Sequence, residues 1–256
     1  MASPRGSAGF LGMVLLAGLV GARLIAPSHP ALADETTLLA DTFSREDVGA
    51  RPGPWLYFTD EGNDVAVAQA PGLDGRCLKL VRSGGTVWKP MVSGWAEGQP
   101  DSPLRLEFDW YLPALSDGAD SVLFVTLRGN DNINMVQVAL GGPGGVAVPQ
   151  DGDDWVPLGY RLWPGRWGHL CIVADPISRK GAGAFDLVVS QARPDGQSQE
   201  RAEYPNIPFR PDHQGNYPDT LWYSPTFHVG GGSAEHPREA YVTNVKLTTT
   251  SPREYR

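Results

Sequence analysis

Leu104-Arg105-Leu106-Glu107-Phe108-Asp109-Trp110-Tyr111-Leu112 sets Leu104, Leu106, Phe108, Trp110 and Leu112 against Arg105, Glu107, Asp109 and Tyr111 in strict alternation. A repeat of two is that of a strand, so the first set turns to a buried face and the second to the opposite one. Working outward, similar runs cover Arg76 to Val81, Ser121 to Arg128, Asn134 to Leu140, Trp167 to Ala174, Ala184 to Ser190 and Ala240 to Thr248. Between them lie turn clusters such as Gly84-Gly85, Gly141-Gly142-Pro143-Gly144-Gly145, Trp163-Pro164-Gly165 and Gly230-Gly231-Gly232. These arrive too often for long helices, and several short strands with such punctuation predict an all-β sandwich or barrel. Ala192 to Tyr223 is polar and broken by proline, and reads as a long surface loop with at most one strand.

The first 33 residues read differently. Arg5 precedes an apolar run from Phe10 to Val20, and Ala31-Leu32-Ala33 stands immediately before Asp34 and Glu35. That order predicts a cleaved signal peptide at 1–33 and one mature domain at 34–256. The run is too short to span a bilayer, so no membrane insertion is expected after cleavage, and the mature protein is expected to be secreted or periplasmic. Cleavage removes Arg5 and Arg23 and no acid, which takes the formal charge from −8 to −10. Nucleic acid is an unfit partner for such a balance, because phosphates demand a basic face.

The two cysteines, Cys77 and Cys171, fall in predicted strands. An even count in an oxidising compartment predicts one disulfide, and two buried free thiols are the alternative.

Taken in order, Leu38-Leu39-Ala40-Asp41-Thr42-Phe43, Gly75-Arg76-Cys77-Leu78-Lys79-Leu80, Leu104 to Tyr111, Trp167-Gly168-His169-Leu170-Cys171-Ile172-Val173-Ala174-Asp175 and Tyr241-Val242-Thr243-Asn244-Val245-Lys246-Leu247 resemble the concanavalin A-like lectin and glucanase superfamily, exported bacterial type. The tryptophan, histidine and cysteine at alternating positions of the fourth segment are similar to a pentraxin strand. The resemblance implies an all-β, two-sheet antiparallel jelly-roll sandwich. It does not fix a function, since sites are grafted onto folds.

Hydrolases of this superfamily carry Glu-x-Asp-x-Glu on one strand. Here Glu107 and Asp109 keep two of the acids, and Tyr111 stands where the third would be. Retaining hydrolysis needs two carboxyls about 5 to 5.5 Å apart, so the incomplete motif leans away from an enzyme. The pair can still bond sugar hydroxyls. Lyases on related sandwiches take a histidine or tyrosine base with a group that neutralises a uronate. His169, His213, His228, His236 and Tyr111 supply the first type, and Gln137 and Arg128 the second.

The loop Asp151-Gly152-Asp153-Asp154 offers Asp151, Asp153 and Asp154 as hard oxygen ligands, which makes calcium the candidate metal. A weaker pair is Asp41 with Asn244. Of eight tryptophans, Trp88, Trp95, Trp155, Trp163 and Trp222 lie in or beside turn-rich segments. An indole at a groove rim stacks on a pyranose face and offers its edge to hydroxyls. The expected site is therefore a glycan groove lined by Trp88, Trp95, Glu107, Asp109, Tyr111, Trp155, Trp163, His213 and Trp222, on a protein that binds a polysaccharide or oligosaccharide. A polysaccharide lyase or hydrolase with an unrecognised site, and a structural or adhesive envelope protein, are the alternatives.

Ala31-Leu32-Ala33 predicts that the exported protein begins at Asp34. N-terminal sequencing of secreted material is expected to read Asp-Glu-Thr-Thr, and a retained Met1 in a membrane fraction would end the export reading.

Overall fold

The computed structural model describes residues 35–85, 89–98, 102–118, 120–129, 134–149, 154–176, 183–196, 198–210, 222–233 and 235–249. The expected leader and its cleavage site lie outside them. In chain order the strands are β1 (Thr36–Asp41), β2 (Leu56–Phe58), β3 (Asn63–Gln69), β4 (Arg76–Arg82), β5 (Met91–Ser93), β6 (Ala96–Glu97), β7 (Leu104–Tyr111) and β8 (Leu123–Arg128), followed by β9 (Asn134–Gly142), β10 (Gly145–Pro149), β11 (Trp155–Pro157), β12 (Trp167–Asp175), β13 (Ala184–Ala192), β14 (Gln199–Pro208), β15 (Trp222–Val229) and β16 (Arg238–Thr249).

They form two antiparallel sheets. One runs β14-β13-β12-β7-β16-β4-β3, with β1 paired to the far half of β16, and is called here the β7 sheet. The other, the β8 sheet, runs β11-β10-β9-β8-β15-β5-β2, with β6 paired to β15. Alternation on β7 works as its sequence dictates: Leu104, Leu106, Phe108 and Trp110 are buried between the sheets. Their counterparts across the core come from the inward positions of β8, β9 and β15, namely Val125, Leu127, Val138 and Phe227. Phe108 meets Phe227 edge-on at 5.0 Å between ring centroids. Gly168 makes room for the Trp110 indole, because a Cβ there would stand 2.3 Å from Cζ2. The outward residues of each strand fall on the two external faces of the sandwich.

Two strand details position chemistry. On β16, Thr243 pairs with Asp109 and Lys246 with Glu107, so Asn244 and Val245 oppose one residue of β7. This is a bulge, and Asn244 accordingly takes a positive φ of 52°, a region asparagine tolerates better than most residues. On β15, Pro225 sits inside a central strand, where it lacks a donor for the ladder. The neighbouring ladder is interrupted opposite it: β5 ends at Ser93 and β6 begins at Ala96, leaving Gly94 and Trp95 between them.

The polar segment expected as a long loop with at most one strand holds that strand as the ten-residue β14, paired along β13 at the sheet edge, and ends in the first two residues of β15. An edge strand keeps one side in solvent, which is why its composition carries little apolar signal.

The expected disulfide is absent: Cys77 and Cys171 are free and buried. Cys171 is on β12 and Cys77 on β4, with β7 and β16 between them. Three strand spacings of about 4.8 Å put their Cα atoms roughly 14 Å apart, twice the reach of about 7 Å for a bridge. An even count in an oxidising compartment says nothing about strand order, and strand order decides this pair.

Burial pushes the Cys77 thiol up to about 12 despite the nearby Lys79, and pushes Cys171 to about 12 with Glu107 adding to the effect. Protonated, enclosed thiols are poor nucleophiles. Ellman's reagent is therefore expected to find two thiols per chain in the unreduced, unfolded protein and neither in the folded one. A thiol-free unfolded sample would restore the bridge.

Candidate functional site

The outer face of the β7 sheet carries a closed charge network. β7 supplies Arg105, Glu107, Asp109 and Tyr111 at successive outward positions, and β12 sets His169 opposite Asp109 and Cys171 opposite Glu107. The His169 Nδ1 donates to Asp109 Oδ1 at 2.8 Å, and its Nε2 lies 3.9 Å from Glu107 Oε1, an ion-pair distance without a hydrogen bond. Asn244 of the bulge donates from Nδ2 to Asp109 Oδ2 at 2.6 Å. Arg105 holds Glu107 Oε1 at 2.5 Å and lies 3.7 Å from Glu35. Burial works against charge on both central groups. For His169 the hydrogen bond to Asp109 and the Glu107 carboxylate outweigh it and hold the imidazole at about 9. For Glu107, His169 and Arg105 outweigh it and hold the carboxyl at about 2. The acids are thus spoken for by fixed cations and an amide. Tyr111 packs between Trp167 at 5.4 Å and Tyr241 at 5.7 Å, extending the face as an aromatic group.

The outer face of the β8 sheet is different. Gln137, Thr126, Thr226 and Ser93 form one rung across β9, β8, β15 and β5. Ser93 Oγ and Thr226 Oγ1 lie 2.9 Å apart, with Ser224 Oγ 3.4 Å from the same Thr226 oxygen. Arg210 donates from Nη1 to Gln137 Oε1 at 2.9 Å, and Arg128 donates from Nε to Asn134 Oδ1 at 3.0 Å. Phe124 stacks on His228 at 4.7 Å with their planes 2° apart, and meets Trp155 edge-on at 5.4 Å. Burial, then repulsion from Arg128 and Arg82, drives the His228 pKa down to about 3, so this ring is neutral. Its Nδ1 is buried with no hydrogen-bond partner. Beside the aromatic trio opens a pocket of about 250 Å³, walled by Phe124, Trp155 and Pro157 and floored by Gly142 to Gly145, with Asp120 and Ser121 at its side.

The expected groove residues do not converge. Glu107, Asp109 and Tyr111 lie on the outer face of one sheet, whereas Trp155 lies on the outer face of the other. Trp95 is 46% exposed at the interruption opposite Pro225. Trp163 belongs to the loop before β12, where its backbone N–H donates to Gln191 Oε1 and its carbonyl accepts from Gln191 Nε2, with Arg161 over its ring at 5.9 Å. Trp222 begins β15, paired to Glu97. Trp88, His213, Asp151 and Asp153 lie outside the described residues, and Asp154 is exposed immediately before β11. Among the described residues no group of three or more His, Cys, Asp or Glu side chains could hold a metal ion. Asp41 and Asn244 do border one pocket, of about 450 Å³. Asp41 already accepts from Phe43 N at 2.7 Å and from Trp55 Nε1 at 2.7 Å.

The β8-face residues Ser93, Phe124, Thr126 and Thr226 were not among the expected site residues. Alternation in Leu123-Phe124-Val125-Thr126-Leu127-Arg128 marks Phe124, Thr126 and Arg128 as sharing a face. It does not identify their partners on other strands.

No family model matches the chain, and no curated protein matches its sequence. Among solved structures it is similar to arcelin-5, a lectin-like defense protein from Phaseolus vulgaris, with a TM-score of 0.51 and 10% identity over 85% of this chain and 99% of that one. Peanut lectin, in a structure with a 9mer peptide, gives 0.50 and 11% over 85% and 98%. The fold is a concanavalin A-like jelly-roll sandwich.

The His169 network dictates a pH dependence. A folded pKa of about 9 above an ordinary 6.5 gives stability fully present below pH 6.5 and lost as pH rises through 9. Glu107 works in the other direction, its contribution present above 4.5 and lost as pH falls through about 2. His169→Gln is expected to cost on the order of 2 kcal/mol near pH 6, and the gap to the unsubstituted protein is expected to narrow by pH 10. Urea melts across that range check it; a constant gap would show that the imidazolium contributes nothing.

Proposed function

We propose that this protein binds a saccharide, without cleaving it, on the outer face of the β8 sheet. The observation that carries this reading is the pocket walled by Trp155 and Phe124, which opens beside the rung Gln137-Thr126-Thr226-Ser93, of which Gln137 reaches the surface while Thr126, Thr226 and Ser93 are buried. Sugars present hydroxyls around a ring whose axial C–H groups make an apolar face. Asp120 and Ser121 at the pocket's side, with the Gln137 amide, meet the first need, and an indole edge-packed on a phenyl ring meets the second. That two proteins sharing the fold are called lectin or lectin-like supports a carbohydrate partner in general.

Binding is favoured over hydrolysis because Glu107 and Asp109 are held by Arg105, His169 and Asn244 on the far side of the sandwich. A glycosidase needs one carboxyl free to give a proton and another free to attack. The leader-like 1–33 supports a place of action outside the cytoplasm, where polysaccharides are met.

Trp155→Ala is expected to weaken oligosaccharide binding by about 1 to 3 kcal/mol while leaving the melting temperature within a few degrees. Calorimetric titration with gluco-, galacto-, manno- and uronate oligosaccharides checks it. If none binds, or if the variant binds as the unsubstituted protein does, the site is elsewhere or absent.

A further inference from the structure

We infer that the saccharide taken by the β8 face is anionic, with Arg128 supplying its counter-charge; this rests on the binding reading above and names the class of sugar.

Charge is distributed unevenly between the two sheets. The chain is acidic at −8, and the strands of the β7 sheet carry acids from Asp41 on β1 to Glu239 on β16. The strands of the β8 sheet contain a single acid, Glu97 at the end of the two-residue β6. On β8, β9, β15 and β5, which make the centre of that face, there is none. The cation borne by those strands is Arg128, and Arg210 reaches the same face through Gln137. The central strands of that face are free of acids, Asp120 at the pocket's side lying in the loop before β8, while a guanidinium is left on them.

Arg128 is half-buried, and among the described residues its hydrogen-bond partners are uncharged. Nε meets the neutral amide of Asn134, and Nη2 meets the Met91 sulfur at 3.8 Å. Among the described residues no carboxylate lies within ion-pair distance of it, in contrast to Arg105, which touches Glu107 and Glu35 on the other face. Burial lowers the Arg128 pKa with nothing opposing it, yet a guanidinium stays protonated at neutral pH. Its planar fork has donors left for an oxyanion, the ligand it matches in geometry as well as charge.

The next group along the face points the same way. His228, within electrostatic reach of Arg128, is driven neutral in part by it, and keeps a buried Nδ1 without a partner. An anion at the exposed side of Arg128 would offset the cation. Gln137 and the Trp155 pocket would hold the ring that carries it. A carboxylate of a uronic acid and a sulfate ester share this chemistry.

The test uses paired hexasaccharides on the full mature chain: oligogalacturonate and oligomannuronate, each with its carboxyl-reduced counterpart, and a sulfated galactan with its desulfated counterpart. At least one acidic member is expected to bind about tenfold more tightly than its neutral partner, the range of a charge-assisted hydrogen bond. Added sodium chloride is expected to weaken the acidic member and leave the neutral one unchanged, a readout that needs no substitution. Arg128→Gln is expected to abolish the margin and Arg128→Lys to keep part of it; if the glutamine variant does not fold, the lysine variant and the salt series decide. A margin with the uronates alone identifies the carboxylate, and one with the galactan alone the sulfate. Equal binding of acidic and neutral partners, or a margin that survives Arg128→Gln, overturns the inference and leaves the binding site standing. Binding of none of the six overturns both.

Discussion

Phe108 of the β7 sheet packs edge-on against Phe227 of the β8 sheet, and the contact continues from Phe227 to Trp55 at 6.1 Å and from Trp55 to Phe43 at 5.8 Å. All four rings are buried. Each fixes the parity of its segment: with Phe108 inward, Glu107 and Asp109 must be outward, and with Phe227 inward, Thr226 and His228 must be. A slip of one residue on either strand would turn the whole polar set into the core and the aromatics into water, a change that no charged residue on these strands could tolerate. The two external faces are thus consequences of one interior contact.

Those faces have been finished in different ways. On the β7 sheet, positive and negative groups are interleaved and bonded to each other through Arg105, Glu107, His169, Asp109 and Asn244, so little is left over for a ligand. Such a network stabilises only while every member is present, because each partner removed leaves a buried charge. On the β8 sheet the polar groups are mostly neutral and short, and the aromatic groups stand at one side rather than among them. Ser93, Thr226 and Ser224 are buried and share hydrogen bonds, so the opening on this face is the pocket beside Trp155 and Phe124.

The strand pattern was legible because alternation is local. Arg76, Leu104, Asn134, Trp167 and Ala184 each mark where a strand begins, and the resemblance to concanavalin A-like proteins needed only those segments in order. Sites are not local. Nothing in the spacing of Glu107 and Trp155 tells that they belong to opposite sides, since that depends on which sheet each strand joins. Cys77 and Cys171 failed as a bridge for the same reason. Arg128, Gln137 and His228 were visible as residue types suited to an acidic sugar, and only the pairing of β8 with β9 and β15 brings them to one face. The extent of β14, expected only as one strand within a long loop, was hidden by its polarity, and the bulge at Asn244 by the absence of any glycine to announce it.

β1 and β16 are antiparallel neighbours, with Thr36 directly across from Thr249. Both ends of the folded sandwich therefore emerge side by side. A tension applied through the two ends would load this ladder from its open end, one hydrogen bond after another, as a zipper is drawn, and would not shear all of its bonds together. Peeling is the mechanically weak direction for paired strands. If the domain were tethered at both ends, β1 would detach first, taking with it Asp41, whose carboxylate holds the Trp55 indole in the aromatic chain between the sheets.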